Sequence, residues 1–352
     1  MAAPSAPLLA RLPAARLPAA WRWALGALVA ACTGRSSPPS PPERAMAAPA
    51  SAPSPRLAHL TAPTLRALPE PALRLPFRES FTLKSAGAAP REPARYALRA
   101  EERRYTVTAE LRGRSLQGGA AAAPVQAPRF HETFAIRALP PATTGGRLRW
   151  RGEPIRVDGD AGAARPYVAR WQELLAGRRA QLDLPRDAPW TIVFAEDPLQ
   201  RDSQPEIEEL TQRLLGYVVP LPDEAIGRGA RWTVVTVLRQ GGAAVKQTAK
   251  YELLERAGGR LTLAVDLRRV AEEQRVARPG LPEGSALDLV AMFRAVTGRV
   301  EVDLGAPLPV RGELEIEVRT HQRLRQASGA ITEAIDEDLG TMSLTSASTG
   351  GS

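Results

Sequence analysis

The chain contains a single thiol, Cys32, which ends an apolar stretch near the N-terminus. The stretch covers residues 23–32, has the sequence WALGALVAAC and follows Arg22. Its last four residues are a branched apolar side chain, two small side chains and the cysteine. Small side chains at Ala30 and Ala31 suit a peptidase that accepts only small groups beside the scissile bond. The pattern therefore predicts cleavage beside these small residues.

The segment around Cys32 resembles the signal peptide of bacterial lipoproteins, whose cysteine receives a diacylglycerol thioether and becomes the acylated first residue of the mature chain. Arg11, Arg16 and Arg22 supply the positive charge that precedes the apolar run of a secretory signal. The apolar run is too short to cross a bilayer, for which about 20 residues are needed. We therefore expect residues 1–31 to be a lipoprotein signal peptide.

Lipidation of Cys32 predicts the location of the protein. Acyl chains such as palmitate would anchor it in a membrane of the bacterial cell envelope, facing the periplasm or the cell surface. Thr33 follows the cysteine in place of an aspartate, and the resemblance to lipoproteins then favours the outer membrane over the inner one. Two alternatives stay open: an ordinary cleavable signal, or a chance cysteine in an alanine-rich N-terminus. A translation start at Met46 would remove the signal altogether.

The other residues that could do chemistry form no recognisable constellation. His59, His131 and His321 are too scattered for a metal-ligand motif. Residues 336–338 (DED) are an acidic run, and such a run usually forms a solvated face. Residues 158–162 (DGDAG) lack the spacing and final glutamate of a calcium loop, so we expect a hairpin turn there. Nucleophile-elbow, phosphate-loop and zinc-protease motifs are missing, and the sequence predicts no enzyme, no cofactor and no metal site.

Composition narrows the range of partners. The chain has 352 residues, of which 44% are hydrophobic, enough for one large domain or two small ones. The formal net charge is +9, which can indicate nucleic-acid binding. The arginines are dispersed, however, and aromatic residues make up only 5% of the chain. We therefore expect no nucleic acid. The expected partners are the membrane, through the lipid anchor, and a lipid or another envelope protein.

Shifts in composition divide the chain into segments. Residues 32–74 are rich in proline, alanine and serine, which favour extended backbone and bury little apolar surface. We expect them to be a disordered tether that leads to a β-rich domain at residues 75–340. Residues 341–352 are rich in serine, threonine and glycine, and we expect them to be a disordered tail.

The domain shows a period-two alternation of apolar and polar residues, which is typical of half-buried antiparallel strands. The alternation is clearest over 230–270 and 297–320, and glycine pairs at 241–242 and 258–259 can turn the chain. We expect these segments to pair antiparallel and to share one apolar face. Shorter patterns predict further strands at 105–111, 130–136, 148–157 and 190–194.

Two short helices are predicted between these groups of strands, and residues 118–127 are predicted to be a loop. Pro166 suits a first helical position and precedes an apolar stripe, and Pro205 begins a second such pattern that ends at Gly216. The expected fold is mainly β, of the α+β class. It is a curved antiparallel sheet or open half-barrel with two short helices, after a disordered N-terminal tether.

Residues 219–232 (VPLPDEAIGRGARW) combine a proline-rich start, an apolar residue, a glycine turn and a tryptophan that opens a strand. In this they resemble a family of uncharacterised bacterial envelope lipoproteins, in which a tyrosine-bearing strand follows, here with Tyr251. The resemblance covers about residues 75–325. It implies a curved antiparallel sheet similar to the half-barrels of periplasmic lipoprotein carriers, and it implies no known reaction.

These observations favour a non-enzymatic, membrane-anchored envelope lipoprotein with a structural role or a role in binding a protein or ligand. The alternative is a carrier that holds a lipid or another apolar ligand in a half-barrel groove. An apolar sheet face can be a packed core or a groove, and the sequence does not separate the two. Six alternating apolar side chains would line such a groove: Leu261, Leu263, Val265, Leu314, Ile316 and Val318.

Replacing the thiol tests the anchor. Cys32→Ala should release the protein from the membrane fraction or leave it as an uncleaved precursor. Two or three acyl chains, at ~0.8 kcal/mol per buried CH₂, hold a soluble domain on a membrane almost permanently. The decisive measurement is the intact mass of the native protein. A mature chain that begins elsewhere than Cys32, or begins there without added lipid mass, would contradict the lipidation.

Overall fold

The computed structural model describes a protein built from β-strands. The described residues are 77–117, 120–121, 125–139, 146–159, 168–169, 172, 176, 179–184, 191–194, 216–240, 242–276, 281 and 283–348. The strands are β1 (Phe77–Ser85), β2 (Glu102–Gln117), β3 (Ala120–Ala121), β4 (Val125–Gln126), β5 (Phe130–Leu139), β6 (Gly146–Gly152), β7 (Arg156–Val157), β8 (Arg179–Leu184), β9 (Thr191–Phe194), β10 (Arg231–Gln240), β11 (Ala243–Ala257), β12 (Arg260–Ala271), β13 (Gln274–Val276), β14 (Ala286–Asp303), β15 (Arg311–Arg325) and β16 (Ile331–Ser348).

All of these strands belong to one antiparallel sheet. Twelve of them follow the order β1-β10-β11-β12-β14-β15-β16-β2-β5-β6-β8-β9, and the described strands do not close into a ring. The short strands lie beside this path: β13 pairs with β14, β3 and β4 pair with β2, and β7 pairs with β5. The N-terminal and C-terminal parts of the chain meet in the middle of the sheet, where β16 pairs with β2 over fifteen residue pairs.

The sheet curves so that one of its faces becomes an inner face. Trp150 of β6 and Trp232 of β10 come from distant parts of the strand order, yet both are buried in the same apolar cluster. Tyr105 stacks on Phe134 with ring centroids 5.7 Å apart, and Trp232 stacks on Tyr251 with centroids 5.4 Å apart. Each of these two pairs lies directly opposite on neighbouring strands, so the rings stabilise the strand pairing as well as the core.

The connection between β1 and β2, residues 86–101, joins one edge of the sheet to its middle. The Tyr96 hydroxyl donates a hydrogen bond to the carbonyl of Val219 at 2.9 Å. The Ala97 N–H donates to the carbonyl of Leu304 at 2.8 Å. These bonds satisfy backbone groups at the end of the inner face, where the sheet itself provides no partner.

The predicted fold class and the predicted meander are confirmed. β10, β11 and β12 pair antiparallel in succession, and β12, β14 and β15 continue the series. Their inward-facing apolar residues belong to one cluster. Gly258, in the turn between β11 and β12, has a φ of 57°. Glycine adopts this left-handed conformation without the steric penalty that a Cβ would bring, as the glycine pair predicted.

The prediction of a disordered tail from residue 341 is wrong for residues 341–348. They form the second half of β16, which is paired with β15 on one edge and with β2 on the other. Met342 and Leu344 point inward and are only 5% and 3% exposed. Serine and threonine are common on the solvent-exposed face of a strand as well as in flexible tails. The prediction of a tail was based on composition alone. The predicted loop at residues 118–127 likewise contains two short strands, β3 and β4.

Several predictions concern residues that are not described. Cys32, the signal peptide at 1–31 and the tether at 32–74 all lie outside the described residues, as do residues 349–352. Most of the two predicted helices also lies outside them. Among the residues that are described, no helix is both long enough and apolar enough to span a membrane.

Removing residues 341–352 should unfold or strongly destabilise the domain. Truncating a buried methionine or leucine costs ~2–5 kcal/mol, and two such losses are comparable to the net stability of a domain, ~5–15 kcal/mol. Far-UV circular dichroism and thermal unfolding would measure the loss. The control is a deletion of residues 349–352 alone, which leaves β16 intact. If both truncated proteins unfold at the same temperature as the full chain, the stability of the domain does not depend on residues 341–348.

Candidate functional site: a polar belt inside the sheet

A band of polar side chains crosses the otherwise apolar inner face. We call it the polar belt, and its members are Ser115, Thr236, Gln240, Gln247, Arg269, Arg294, Thr320, Gln322, Asp336 and Asp338. On β10, β11, β12 and β14 it separates the large apolar cluster from a small one, which consists of Leu238, Ala243, Val245, Ala271, Val276, Leu289 and Met292. Buried polar groups are costly unless they are hydrogen-bonded, so a band of them is a candidate for function.

The strand register places the two charged parts of the belt in one row. Directly opposite residues on neighbouring strands point to the same face, with their Cβ atoms about 5 Å apart. The row runs across six strands through Gln247, Arg269, Arg294, Val318, Asp338 and Gly113. Its cationic and acidic parts are therefore separated by a single strand, β15, on which Val318 occupies the row.

Arg269 and Arg294 lie directly opposite each other, although like charges in this arrangement repel. They are 6% and 7% exposed. Arg269 Nε donates a hydrogen bond to Gln247 Oε1 at 2.8 Å, and Nη1 donates to Gln240 Oε1 at 3.3 Å. Burial, together with the charge of Arg294, lowers the pKa of Arg269 to about 9. The guanidinium therefore keeps its charge at neutral pH, and the two acceptors found among the described residues are neutral.

Asp336 and Asp338 form the acidic part of the belt and are 3% and 5% exposed. Asp336 lies directly opposite Thr320 on one side and Ser115 on the other. In the described part of the chain, Oδ2 of Asp338 accepts no hydrogen bond. Burial raises the pKa of Asp336 to about 6, with Ser115 acting in the opposite direction. Burial and then the charge of Asp336 raise the pKa of Asp338 to about 7.

The prediction that residues 336–338 form a solvated face is wrong for the two aspartates. The run lies in β16, where successive side chains point to opposite faces, so only Glu337 points outward. Arg114 Nε donates a hydrogen bond to Glu337 Oε2 at 2.6 Å, and Arg319 Nε lies 3.7 Å from Glu337 Oε1. Within the described residues, no three histidine, cysteine, aspartate or glutamate side chains are grouped so that they could hold a metal ion.

The six residues predicted to line a groove belong mainly to the packed core. Four of them are buried in the large apolar cluster: Leu261, Leu263, Ile316 and Val318. Val265 and Leu314 are half-buried, and both border an internal cavity of about 70 Å³. The structure thus brings the six residues onto one face, as predicted, but mostly as packing partners of one another.

The internal cavity has apolar walls and a cationic end. Val265, Leu267 and Arg269 follow one another along the inner face of β12 and all three line the cavity. Arg294 of β14 and Met342 of β16 also line the cavity. A water molecule needs roughly 10–15 Å³ of such volume, whereas pockets for drug-sized ligands measure roughly 300–1,000 Å³. A space of this volume holds a molecule of a few heavy atoms.

On the outer face, Thr108, His131 and Asp158 stand in the order nucleophile, base and acid. Thr108 Oγ1 lies 3.0 Å from His131 Nδ1, and His131 Nε2 lies 3.1 Å from Asp158 Oδ2. The contact with His131 lowers the pKa of Asp158. Catalysis by such a row needs N–H donors aimed at an oxyanion. Thr108 sits in β2 where both β5 and β16 pair with it, which engages the backbone donors around it. These contacts connect side chains of β2 and β5 with Asp158 on the outer face.

The sequence held a partial signal for the polar belt. Arg269 continues the inward phase of Leu263, Val265 and Leu267, and Thr320 continues that of Val318. A polar residue that falls in phase with a buried apolar stripe must either find hydrogen-bond partners inside the protein or break the apolar packing there. The juxtaposition of two arginines had no such signal, because it depends on the pairing register of β12 with β14.

Comparison with known proteins does not identify the belt as a known site. No protein-family model matches the chain, and no curated protein matches it. The resemblance of residues 219–232 to envelope lipoproteins therefore stays a prediction.

Stability should fall as the pH rises through the range in which Asp338 ionises inside the protein. An unfolded aspartate titrates near pH 4, so between about pH 4 and 7 the folded state binds more protons than the unfolded state. Asp338→Asn stays neutral throughout. Its free energy of unfolding should match that of the wild type near pH 4 and exceed it by on the order of 3 kcal/mol at pH 8. Urea unfolding at several pH values measures the difference.

Asp288→Asn is a control in which the change in stability should have the opposite sign. Arg325 and then Arg275 lower the pKa of buried Asp288, with burial opposing them. Its charged form is therefore the stabilising one, and this stability is lost only as the pH falls below the usual aspartate range. The variant should be less stable than the wild type at pH 7, and the deficit should shrink at low pH. A pH-independent difference for Asp338→Asn would show that this carboxyl is not held in its neutral form.

Proposed function

We propose that the chain is a lipid-anchored protein of the bacterial cell envelope, whose β-rich domain has a structural or partner-binding role and no catalytic one. The observation that carries the choice of role is the filled interior of the sheet. Among the described residues, most of those that would line a lipid groove are buried in one apolar cluster, and the cavity that two of them border measures about 70 Å³. This packing favours a role in which the domain acts on other molecules through its surface.

Support for the anchor comes from the N-terminal sequence. Three arginines precede a short apolar run that ends in two alanines and Cys32. The proline-rich residues 32–74 that follow would reach roughly 35 Å as a flexible coil and roughly 130 Å if fully extended. Either length would let the β-rich domain stand away from a membrane surface to which Cys32 is attached.

Support for partner binding comes from the outer face. A groove of about 630 Å³ opens there across β11, β12, β14 and β15. Its lining alternates between the two charge signs, with Arg228, Arg299 and Arg311 on the one hand and Glu252, Glu255, Glu301 and Glu313 on the other. A groove of this size and mixed charge favours a polar partner, such as a segment of another envelope protein, over an apolar ligand.

The carrier role is the weaker alternative for a physical reason. Pockets that enclose a drug-sized ligand measure roughly 300–1,000 Å³. Enlarging the cavity to that size would mean displacing buried side chains that line it, such as Leu267 and Val300, and voids in a packed core are destabilising.

Lipid analysis separates the two roles. The full chain, purified from membranes in a neutral detergent, should yield only the acyl chains attached to Cys32 when it is extracted with organic solvent and digested. The Cys32→Ala protein is the matched control, because it carries no covalent lipid, and its organic extract should contain none in molar amount. One lipid molecule per Cys32→Ala protein would contradict the proposal and favour the carrier.

A further inference from the structure

The outer groove runs across the strands, between two rows of outward-facing side chains. The residues of the first row lie directly opposite one another on β11, β12, β14 and β15: Glu252, Ala264, Arg299 and Glu313. The second row follows the same four strands: Glu255, Thr262, Glu301 and Arg311. All of them except Ala264 line the groove, so the two rows are its walls.

The floor of the groove is made of backbone. Leu253, Val300 and Gly312 lie between the two rows and also line the groove. The side chains of Leu253 and Val300 are buried in the large apolar cluster, so these residues reach the groove through main-chain atoms. Both edges of β14 and β15 are paired here, which engages the backbone donors and acceptors. The side chains of the walls must therefore provide most of the recognition.

The dimensions of the groove suit an extended polypeptide. Along β12, β14 and β15 the two rows are two residues apart, which is roughly 7 Å, and the four strands together span roughly 14 Å. An extended chain advances ~3.3 Å per residue. About four residues of a partner would therefore fit between the walls.

The walls carry both charge signs in balance. Four glutamates and three arginines line the groove, and Arg231 contacts Glu252 from outside it at 3.0 Å. Glu255 and Arg299 are both exposed and stand in different rows, two strands apart. A partner of a single charge sign, such as a phosphate-rich polymer, would be repelled by one half of these charges. A partner that carries both signs can match them.

We propose that the outer groove binds an extended polypeptide segment that carries both charge signs, with a basic side chain beside Glu255 and an acidic one beside Arg299. Two strand spacings, roughly 10 Å, separate β11 from β14, and three residues of an extended chain cover this distance. The two charges of the segment should therefore be three residues apart. This inference rests on the proposed partner-binding function and names the class of segment that the groove accepts.

Peptide binding to the full-length protein in neutral detergent provides the test. The probe is the hexapeptide TKTTET with blocked ends, in which threonine favours extended backbone and the charges are three residues apart. TKTTKT and TETTET are control peptides with one charge sign. Ligand-observed NMR at low ionic strength measures the dissociation constants, because salt screens contacts between exposed charges. TKTTET should bind about tenfold more tightly than either control peptide.

Two pairs of variants connect binding to the groove. Thr262→Tyr places a ring in the groove, and Thr297→Tyr is the matched control, since Thr297 is exposed on β14 and does not line the groove. Tyrosine is a good strand former, so both proteins should fold. Glu255→Gln removes one carboxylate from the groove, and Glu315→Gln removes an exposed one outside it. Thr262→Tyr should abolish binding of TKTTET and Glu255→Gln should weaken it about fivefold, whereas both controls should bind like the wild type.

Three results would overturn the proposal. One is equal binding of TKTTET and the control peptides, and another is a Thr262→Tyr protein that still binds TKTTET. The third is a wild-type dimer in sedimentation experiments that Thr262→Tyr dissociates, because the groove would then hold a second copy of this chain. None of these results requires a lipid in the Cys32→Ala protein, which is the result that contradicts the proposed function.

Discussion

The strand register is the constraint on which the interior of this protein depends. Side chains alternate between faces along every strand, and hydrogen bonding to the neighbours fixes which residues share a row. If β16 shifted by one residue against β15, Met342 and Leu344 would move to the outer face and Glu337 would move inside. Each hydrogen-bonded pair of strands therefore decides the composition of the core as well as the shape of the sheet.

Charged side chains have different surroundings on the two faces of the sheet. On the outer face, Arg114 and Arg319 each contact Glu337 near water, which screens the charges and keeps each contact weak. On the inner face, the arginines and aspartates of the polar belt are kept apart by β15 and are largely out of contact with water. The aspartates can become neutral by taking up a proton. Arg269, in contrast, keeps its charge at physiological pH, because its pKa stays at about 9.

The internal cavity and the outer groove therefore suit different molecules. The cavity is small and partly open, and its lining is mainly apolar with two arginines, so it admits only small molecules. The groove is larger, open and lined by both charge signs, which favours a polypeptide partner. The groove faces outward, whereas the cavity lies on the inner face of the sheet.

The sequence by itself determined the local features of this protein. Alternation around Leu261 and Ile316 and the glycine pair at 258–259 were enough to predict antiparallel strands, their buried faces and a turn, because each of these depends on neighbours in the sequence. The tertiary structure decided what depends on distant partners. Residues 341–348 are a strand only because β15 and β2 lie on either side of them, and Asp336 and Asp338 are buried for the same reason. Arg269 faces Arg294 because β12 and β14 pair in one particular register, which no local pattern encodes.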